Sequence, residues 1–572
     1  MNANSGAAAV CMAVLAGCSV LAGCGGGGSS APGSTSTTST TPTPPTSTTT
    51  PPATTTPSTP TGPGTDVTTY KNDISRSGLN STETTLTTAN VNSSSFGLLH
   101  NLSVDGKVDA QPLYLSQLNV AGGTHNVVFA ATEHGSVYAF DANSGAVLWQ
   151  VTTLKSGETP SGPVGCNQVT PQIGITSTPV IDRGAGAHGT IFLVAMSLDA
   201  ASNYHQRLHA LDVTTGAELL GGPTDISASV PTAAGGTNVF EPVAYEERAA
   251  LLLSNGSIYV SFTSHCDIQP YSGWVMSYAE NTLSQTGVLN VAQNSTLGPS
   301  IWMAGGGPAA DSSGNVYLLT ANGAFETTLD SQGFPHLHDF GNSFVKISRA
   351  GAVQTGAGQP GATLAVADYF ALTNTVALSA ADQDLGSGGT MLLPDLKDSS
   401  GTLHHLMVGA GKDGNLYVVN RDSMGKFSST ANNIYQQLTG ALPGGIFSTP
   451  AYFNNTVYYA DVGGTLKAFA INNALLSTTP QSQSTAQFMY PGSAASVSSN
   501  GTSNGIVWAH ANASPAVLYA FDAANLGHEL YDSNQAGGRD RFGSGNKFIT
   551  PTIADGHVFV GTTNSVAVFG LL

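Results

Sequence analysis

An alternation of apolar and polar positions recurs from about Tyr70 to the C-terminus, and it predicts short β-strands joined by tight turns. In the clearest copy an apolar strand starts at Val137 and reaches Asp141, an Asn-Ser-Gly turn reverses the chain, and a second strand ends at Trp149. Related copies begin at Leu208, Leu416 and Leu518. Each unit therefore forms a small antiparallel sheet, and such sheets repeated around an axis make a β-propeller.

The repeats number about eight, and they predict an all-β, eight-bladed propeller. The eighth unit stops at Phe569 without a fourth strand, whereas the segment Phe96 to Leu102 precedes the first unit without a sheet of its own. We predict that this N-terminal strand completes the last blade and removes two exposed sheet edges. A seven-bladed ring is the alternative, because the middle units are irregular. The inner strands are expected near Pro112, Pro179, Pro242, Gly307, Met391, Pro450, Ser496 and Pro551.

The composition agrees with this fold and excludes several functions. Among 572 residues only 9% are charged and 68 are Gly, which does not fit a coiled coil or a helical bundle with a charged surface. There are 17 Lys and Arg against 35 Asp and Glu. Because nucleic-acid binding relies on clustered basic side chains, this acidic balance excludes DNA and RNA as partners.

The N-terminus contains an apolar segment, Ala7 to Gly23, with two Leu-Ala-Gly-Cys tetrads that end at Cys18 and Cys24. Both tetrads resemble a bacterial lipobox, so we predict a signal peptide over residues 1–24 and lipidation at Cys24, with Cys18 as the alternative. An ordinary secretory signal and an uncleaved anchor are further alternatives. The segment before Ala7 has no Lys or Arg, which departs from the usual export signal.

Residues 25–66 are predicted to be a disordered tether, and residues 67–572 are predicted to be the folded propeller. The tether consists almost entirely of Gly, Ser, Thr and Pro, so it has no apolar surface whose burial would offset the entropy of ordering. These predictions place the protein in the cell envelope, anchored to the outer membrane and facing the periplasm or the cell surface. The lipid would be its only contact with the membrane.

Two cysteines, Cys166 and Cys266, are left in the predicted folded region. In an exported protein a pair of cysteines is most simply a disulfide. Two unpaired thiols are the alternative. A metal site is a less favoured interpretation of the two cysteines, because neither belongs to a short Cys/His cluster.

The pattern of Ala139, Asp141, Gly145 and Trp149 resembles the tryptophan-docking motif of the pyrroloquinoline-quinone-type repeat propellers. That resemblance implies a propeller in which the aromatic residue of each last strand packs against the neighbouring blade. Dehydrogenases of this family bind the quinone and Ca²⁺ near the propeller axis. The metal there polarises a quinone carbonyl while an Asp carboxylate takes the proton of the substrate hydroxyl.

The same resemblance implies roles for four side chains. The segment around Trp302 is similar to the one that forms the floor beneath the quinone, and Asn322 corresponds to a Ca²⁺ ligand. Asp339 lies near the expected position of the catalytic Asp, and Lys412 matches a basic residue that contacts the quinone. Simpler interpretations stay open: Trp302 as packing between blades, Asn322 and Asp339 as turn residues, and Lys412 as a solvated charge.

Other features depart from the enzymes of the family. The enzymes carry two adjacent cysteines above the quinone, whereas here Cys166 is followed by Asn167. They also place a Glu ligand before an Ala-x-Asp strand, and here the shorter Asp199 is the only acidic residue nearby. The gap between Asn322 and Asp339 is also short. Since Ca²⁺ prefers about six to eight oxygen ligands, these losses count against a complete metal site.

Two functions follow as hypotheses. The first is a tethered propeller lipoprotein that serves as a binding or scaffolding module, like the propeller lipoprotein that assists outer-membrane β-barrel assembly. The second is a quinone- and calcium-dependent dehydrogenase that oxidises alcohols or sugars. The sequence names no protein partner or small-molecule ligand, and we expect a monomer.

Overall fold

The computed structural model describes residues 66–349 and 364–572 as eight β-sheets arranged as a propeller. The eight-bladed prediction is therefore confirmed. The predicted signal peptide, with Cys18 and Cys24, and all but the last residue of the predicted tether lie outside the described residues. No helix among the described residues is long and apolar enough to span a bilayer.

Each blade runs from an inner strand at the axis to an outer strand at the rim, and all neighbouring strands within the four-stranded path are antiparallel. The strands of blades 1 to 4, from inner to outer, are as follows. Blade 1 comprises Leu113–Val120, Gly123–Ala131, Ser136–Asp141 and Val147–Thr152. Blade 2 comprises Val180–Asp182, Thr190–Leu198, Tyr204–Asp212 and Thr224–Asp225, with Thr159–Pro160 also on the second strand. Blade 3 comprises Tyr245–Glu246 with Leu252–Ser254, Ser257–Ser264, Trp274–Ala279 and Gln285–Asn290. Blade 4 comprises Ala309–Ala310, Val316–Leu319, Ser343–Arg349 and Leu364–Ala371.

The remaining blades follow the same order. Blade 5 comprises Thr390–Leu392, Leu406–Ala410, Leu416–Asn420 and Gln436–Leu438. Blade 6 comprises Ala451–Phe453, Thr456–Ala460, Gly464–Asn472 and Ser482–Phe488, with Leu475–Leu476 also on the third strand. Blade 7 comprises Ser496–Asn500, Ser503–Ala511, Val517–Asp522 and Glu529–Asp532, and Leu79–Asn80 pairs in parallel with its inner strand. Blade 8 comprises Thr552–Ala554, His557–Gly561, Ser565–Leu571 and Phe96–Ser103.

The elements outside the blades are small. Two short hairpins pair Ser229–Pro231 with Thr237–Val239 and Leu396–Lys397 with Leu403–His404. The described helices are an α-helix at Thr375–Ala380 and 3-10 helices at Pro242–Ala244 and Leu385–Ser387. Pro242 therefore lies in a 3-10 turn, and the inner strand expected there begins at Tyr245 and is split in two.

The hydrophobic core lies between neighbouring blades. Trp149 shows the contact predicted for the docking motif: its side chain is 9% exposed and its indole Nε1 donates to the Val213 carbonyl of blade 2 at 3.0 Å. Large buried clusters of apolar side chains likewise join adjacent sheets, for example blades 3, 4 and 5. Since each blade packs on two neighbours, closure of the ring lets every blade bury apolar side chains on both of its faces.

The ring closes as the sequence predicts. Strand Phe96–Ser103 pairs antiparallel with Ser565–Leu571 and becomes the outer strand of blade 8. Phe96 is fully buried, and its ring centroid lies 5.4 Å from that of Trp508 and 5.0 Å from that of Tyr531. A strand that precedes blade 1 in the sequence and the last strand of the chain thus share one sheet.

Candidate functional site

An axial cavity of about 150 Å³ lies where loops from several blades converge. A smaller space of about 20 Å³, the inner compartment, adjoins it, because Arg248, Lys547 and Phe548 line both spaces. The lining of the larger space combines three cations, two carboxylates and four aromatic rings: Arg248, Lys412, Lys547, Asp267, Asp384, Trp302, Phe447, Tyr490 and Phe548. The cavity is therefore both cationic and aromatic in a chain whose net charge is −18.

Trp302 and Lys412, predicted from separate motifs, share this cavity. Trp302 lies on the loop between blades 3 and 4, which is fixed where the Met303 amide donates to the Gly386 carbonyl at 2.8 Å. Gly305 in this loop has φ of +57°, and a Cβ atom there would come within 2.6 Å of the Phe548 Cβ. Glycine is therefore required for the loop to lie against Phe548.

Lys412 forms ion pairs with two carboxylates of the loop before blade 5. Its Nζ lies 2.7 Å from Asp382 Oδ1 and 2.6 Å from Asp384 Oδ2. Burial raises the pKa of Asp384 more than the pair with Lys412 lowers it. Burial lowers the pKa of Lys412, but the two carboxylates raise it more, so this pKa lies above its usual value. Lys412 is thus a paired cation at the cavity wall.

Asn322 belongs to the same polar network. Its backbone N–H donates to Asp384 Oδ1 at 2.6 Å, and its Nδ2 donates to Asp382 Oδ1 at 2.9 Å. Its amide oxygen accepts a hydrogen bond from Asn342 Nδ2 at 3.1 Å. The oxygen that the family resemblance assigns to Ca²⁺ is therefore engaged by a protein donor.

Asp339 lies outside this network. It forms an isolated β-bridge with Ala292 and does not line the axial cavity. The side chain is 5% exposed, and among the described residues its Oδ1 has no hydrogen-bond partner. Burial raises the pKa of Asp339 to about 6, and the charge of Glu326 adds to this effect. The structure brings Trp302, Asn322 and Lys412 together without Asp339.

Asp199 caps a hairpin turn of blade 2. Its Oδ1 accepts from the backbone N–H groups of Ala201 and Asn203 at 2.9 and 2.8 Å, and its Oδ2 accepts from Asn203 Nδ2. Hydrogen bonds from Asn203 hold the pKa of Asp199 well below its usual range. These contacts are those of an Asx turn, and the residue does not line the axial cavity.

Sequence reasoning missed the cations of blades 3 and 8. Arg248 pairs with Glu246 at 3.0 Å, and its Cζ lies 4.5 Å from the centre of the Phe548 ring. Burial and the nearby charges of Arg248 and Lys107 lower the pKa of Lys547. The run Glu246-Glu247-Arg248 could have indicated the position of Arg248, since three consecutive charged residues are unusual in a chain with only 9% charged residues.

A pair of buried carboxyl groups lies next to these cations. Asp109 lines the inner compartment, and its Oδ2 lies 3.4 Å from Lys107 Nζ. Burial raises the pKa of Glu133 well above its usual value, and the neighbouring Asp109 raises it further. Burial and the neighbouring Asp109 carboxylate therefore both favour the protonated form of Glu133.

The predicted disulfide between Cys166 and Cys266 is confirmed. It joins the loop before the inner strand of blade 2 to a loop of blade 3. Gln168 and Asp267, close to the two cysteines in sequence, line the axial cavity. The crosslink therefore supports part of the cavity wall.

The side chains that line the axial cavity suit a quinone better than a calcium ion. A flat aromatic side chain and three cations suit a planar ring that carries carboxylates. The carboxylates fit calcium poorly, because Asp382 and Asp384 are paired with Lys412. Within residues 66–349 and 364–572, no group of three His, Cys, Asp or Glu side chains is placed to hold a metal ion.

Comparisons with known proteins agree with the fold. Residues 133–258 match the family model described as outer membrane protein assembly factor BamB. The resemblance to pyrroloquinoline-quinone-type repeat propellers is confirmed. The comparison with curated protein sequences gave no match.

Solved structures with the same fold include quinone-dependent enzymes. Quinohemoprotein alcohol dehydrogenase from Comamonas testosteroni aligns with a TM-score of 0.53 at 14% identity, over 88% of this chain and 80% of that one. A europium-containing methanol dehydrogenase aligns with a TM-score of 0.53 at 13% identity, over 89% and 98% of the two chains. BamB from Moraxella catarrhalis aligns with a TM-score of 0.44 at 12% identity, over 83% and 99%. At these identities the two dehydrogenase alignments establish the propeller fold alone.

Proposed function

We propose that the protein is an exported, membrane-tethered propeller that acts as a binding module, and that its axial cavity receives a small anionic ligand with a flat apolar part. The convergence of Arg248, Lys412 and Lys547 on one cavity carries this proposal. Arg248 lies close enough to Lys547 to lower the pKa of that amine. An anion between these side chains would relieve their repulsion, and Trp302 or Phe548 would stack on the flat part.

The arrangement of acidic groups favours binding over oxidation. Asp384, the buried carboxylate of the cavity, is paired with Lys412, and Asp339 lies elsewhere. A dehydrogenase of the resembled family would need a carboxylate free to accept the proton of its substrate and an oxygen-rich metal site. Among the described residues no group of three His, Cys, Asp or Glu side chains is placed to hold a metal ion, and the other cavity carboxylate, Asp267, accepts a hydrogen bond from the Ser264 hydroxyl.

A quinone- and calcium-dependent dehydrogenase of alcohols or sugars is the second candidate. The specific observation in its favour is that Asn322 and Lys412 share one polar network through Asp384, and that Trp302 lines the same cavity as Lys412. The cations there would suit a carboxylated quinone. The oxygen atoms that would have to bind calcium do not fit that role, because the carboxylates at the cavity are paired with Lys412.

The location in the cell envelope is part of the same proposal. The Cys24 lipobox and the Thr- and Pro-rich segment that follows it support export and lipid anchoring. The family model that matches residues 133–258 is described as an outer membrane protein assembly factor, which supports an envelope location.

Titration with pyrroloquinoline quinone tests the binding proposal. Trp302 lies in the cavity, so a stacked ring is expected to quench its fluorescence. Lys547→Met should weaken binding at least about tenfold, because a charge-assisted hydrogen bond contributes about 1.5–3 kcal/mol. Lys155→Met, at an exposed position, is the matched control and should bind like the wild type. Equal affinity of the Lys547 variant and the wild type would refute the proposed site.

A further inference from the structure

Three of the aromatic rings that line the axial cavity contact one another in a row. This aromatic row consists of Phe548, Phe447 and Tyr490. The ring centroid of Phe447 lies 6.4 Å from that of Phe548 and 5.4 Å from that of Tyr490, which is within the usual range for aromatic pairs. The three residues belong to the loops that lead into the inner strands of blades 8, 6 and 7, respectively. Three different blades thus build the row.

The two ends of the aromatic row have different surroundings. At one end the Arg248 guanidinium lies over the Phe548 ring, with its Cζ 4.5 Å from the ring centre. Arg248 and Phe548 also line the inner compartment. At the other end Tyr490 is 49% exposed, and its neighbour Met489 is 68% exposed. The row therefore leads from the cations of the cavity to an apolar surface in contact with solvent.

The backbone holds both ends of the aromatic row in place. Phe548 has φ of +67°, in the left-handed region that bulky residues rarely adopt, and such a conformation persists only where the surrounding structure imposes it. A turn fixes the other end, because the Gly492 N–H donates to the Met489 carbonyl at 2.7 Å. Asn512 Nδ2 donates to the Tyr490 carbonyl at 3.4 Å. Tyr490 is thus held at the cavity while much of its surface stays exposed.

The size of the cavity limits what it can enclose. At about 150 Å³ it is smaller than the pockets of about 300–1,000 Å³ that enclose drug-sized ligands, and it is partly open to solvent. A ligand with several rings whose anion pairs with Arg248 and Lys547 must therefore extend beyond the cavity. The exposed side chains of Tyr490 and Met489 offer apolar surface for that extension, and its burial there would strengthen binding.

We propose that the site selects elongated amphiphilic carboxylates. The carboxylate is held by the cations of the cavity, and an apolar body of rings in line follows the aromatic row outwards, with its far end on Tyr490 and Met489. This inference rests on the proposed function, because it takes the anion site as given. It adds that the affinity depends on the length of the apolar body as well as on the charge.

Isothermal titration of the full-length protein with benzoate, biphenyl-4-carboxylate and the uncharged biphenyl-4-methanol tests this preference. Biphenyl-4-carboxylate should bind at least about tenfold more tightly than benzoate, because its second ring buries further apolar surface. It should also bind at least about tenfold more tightly than biphenyl-4-methanol, which cannot pair with the cations.

Tyr490→Ser should reduce the preference for the longer ligand. Its affinity for biphenyl-4-carboxylate should fall at least about fivefold more than its affinity for benzoate, because only the longer ligand extends to Tyr490. Leu475→Ser is the matched control, since Leu475 is exposed to a similar extent on blade 6 and does not line the cavity. This control should bind both carboxylates like the wild type. If Tyr490→Ser fails to fold, as judged by circular dichroism, Met489→Ser takes its place with the same expectation.

The outcomes separate this inference from the proposed function. Equal affinity of the wild type for benzoate and biphenyl-4-carboxylate, or a preference that survives the substitution of Tyr490, would refute the role of the aromatic row and leave the anion site standing. Biphenyl-4-methanol that binds as tightly as the carboxylate would contradict the anion site and the inference together. If neither carboxylate binds, the inference is refuted, while titration with pyrroloquinoline quinone still tests the anion site.

Discussion

At the scale of single residues, two carboxyl groups that the sequence could not distinguish lie in different surroundings. Asp384 is buried beside a cation, since its Oδ2 lies 2.6 Å from Lys412 Nζ. Asp339 is buried without such a cation, and among the described residues its Oδ1 accepts no hydrogen bond. Burial of an unpaired carboxylate is costly, so the group keeps its proton to a higher pH.

Asp339→Asn should stabilise the protein at neutral pH. Burial raises the pKa of Asp339 from 3.8 to about 6 in the folded state. Between about pH 4 and pH 6 the folded protein therefore holds a proton that the unfolded chain releases, and the free energy of unfolding falls as pH rises through this window. The variant, which cannot ionise there, should be more stable than the wild type by about 3 kcal/mol at pH 7.5.

Urea denaturation at several pH values measures this difference. At about pH 4 the wild type is protonated in the folded state, so the gain should be nearly gone. A gain of the same size at both pH values would mean that charge at Asp339 is not its cause.

Lys412→Met should destabilise the protein, because it leaves Asp382 and Asp384 without their cation. Removing one partner of a partly buried ion pair costs about 2 kcal/mol. Thermal unfolding, followed by circular dichroism, gives the effect, and Lys155→Met at an exposed position provides the baseline. A melting temperature equal to that of the control would contradict the role of Lys412 as a buried counter-ion.

At the scale of elements, closure of blade 8 rests on one strand from far upstream. The pairing of Phe96–Ser103 with Ser565–Leu571 leaves Phe96 buried and Leu99 37% exposed. Alternate side chains of this strand thus differ in burial, as expected where one face meets the core. The strand was predictable because the eighth repeat lacks a fourth strand and this segment precedes the first repeat without a sheet of its own.

Phe96→Ala should lower the free energy of unfolding by about 3–5 kcal/mol, because it removes a fully buried ring and leaves a cavity beside Trp508 and Tyr531. Leu99→Ala on the same strand is the matched control and should change stability by less than about 0.5 kcal/mol. Chemical denaturation of both variants tests the closure. Similar effects of the two substitutions would contradict the burial of Phe96 in a closed ring.

At the scale of the whole molecule, the disulfide links two blades across 100 residues of chain. Crosslinks over long loops restrict the unfolded chain, and typical gains are about 2–4 kcal/mol. Reduction should therefore lower the denaturation midpoint of the wild type, while the double variant Cys166→Ser/Cys266→Ser should be insensitive to reductant. A wild type that unfolds identically with and without reductant would contradict this contribution.

The repeat made the blades predictable, because strands and turns depend on local alternation and turn residues, and it made the closure predictable because the last repeat lacks a fourth strand. The contacts of residues 67–83 with the inner strands were not predictable. Most of them are main-chain hydrogen bonds, and Lys71 and Arg76 lie in a polar stretch where charged side chains are usually solvated. Trp302 and Lys412 were found through motifs. Arg248 and Lys547 were missed because they come from blades 3 and 8, and only the closed ring brings them together.

We expect the axial cavity to bind an anionic ligand without assembling a calcium-dependent redox site. Isothermal titration of the purified protein with pyrroloquinoline quinone, once with Ca²⁺ and once with a chelator, distinguishes the two. Binding of one molecule with the same affinity in both titrations is expected, with no dye-linked oxidation of alcohols or sugars by the loaded protein. Binding that requires Ca²⁺ and yields turnover would contradict this expectation.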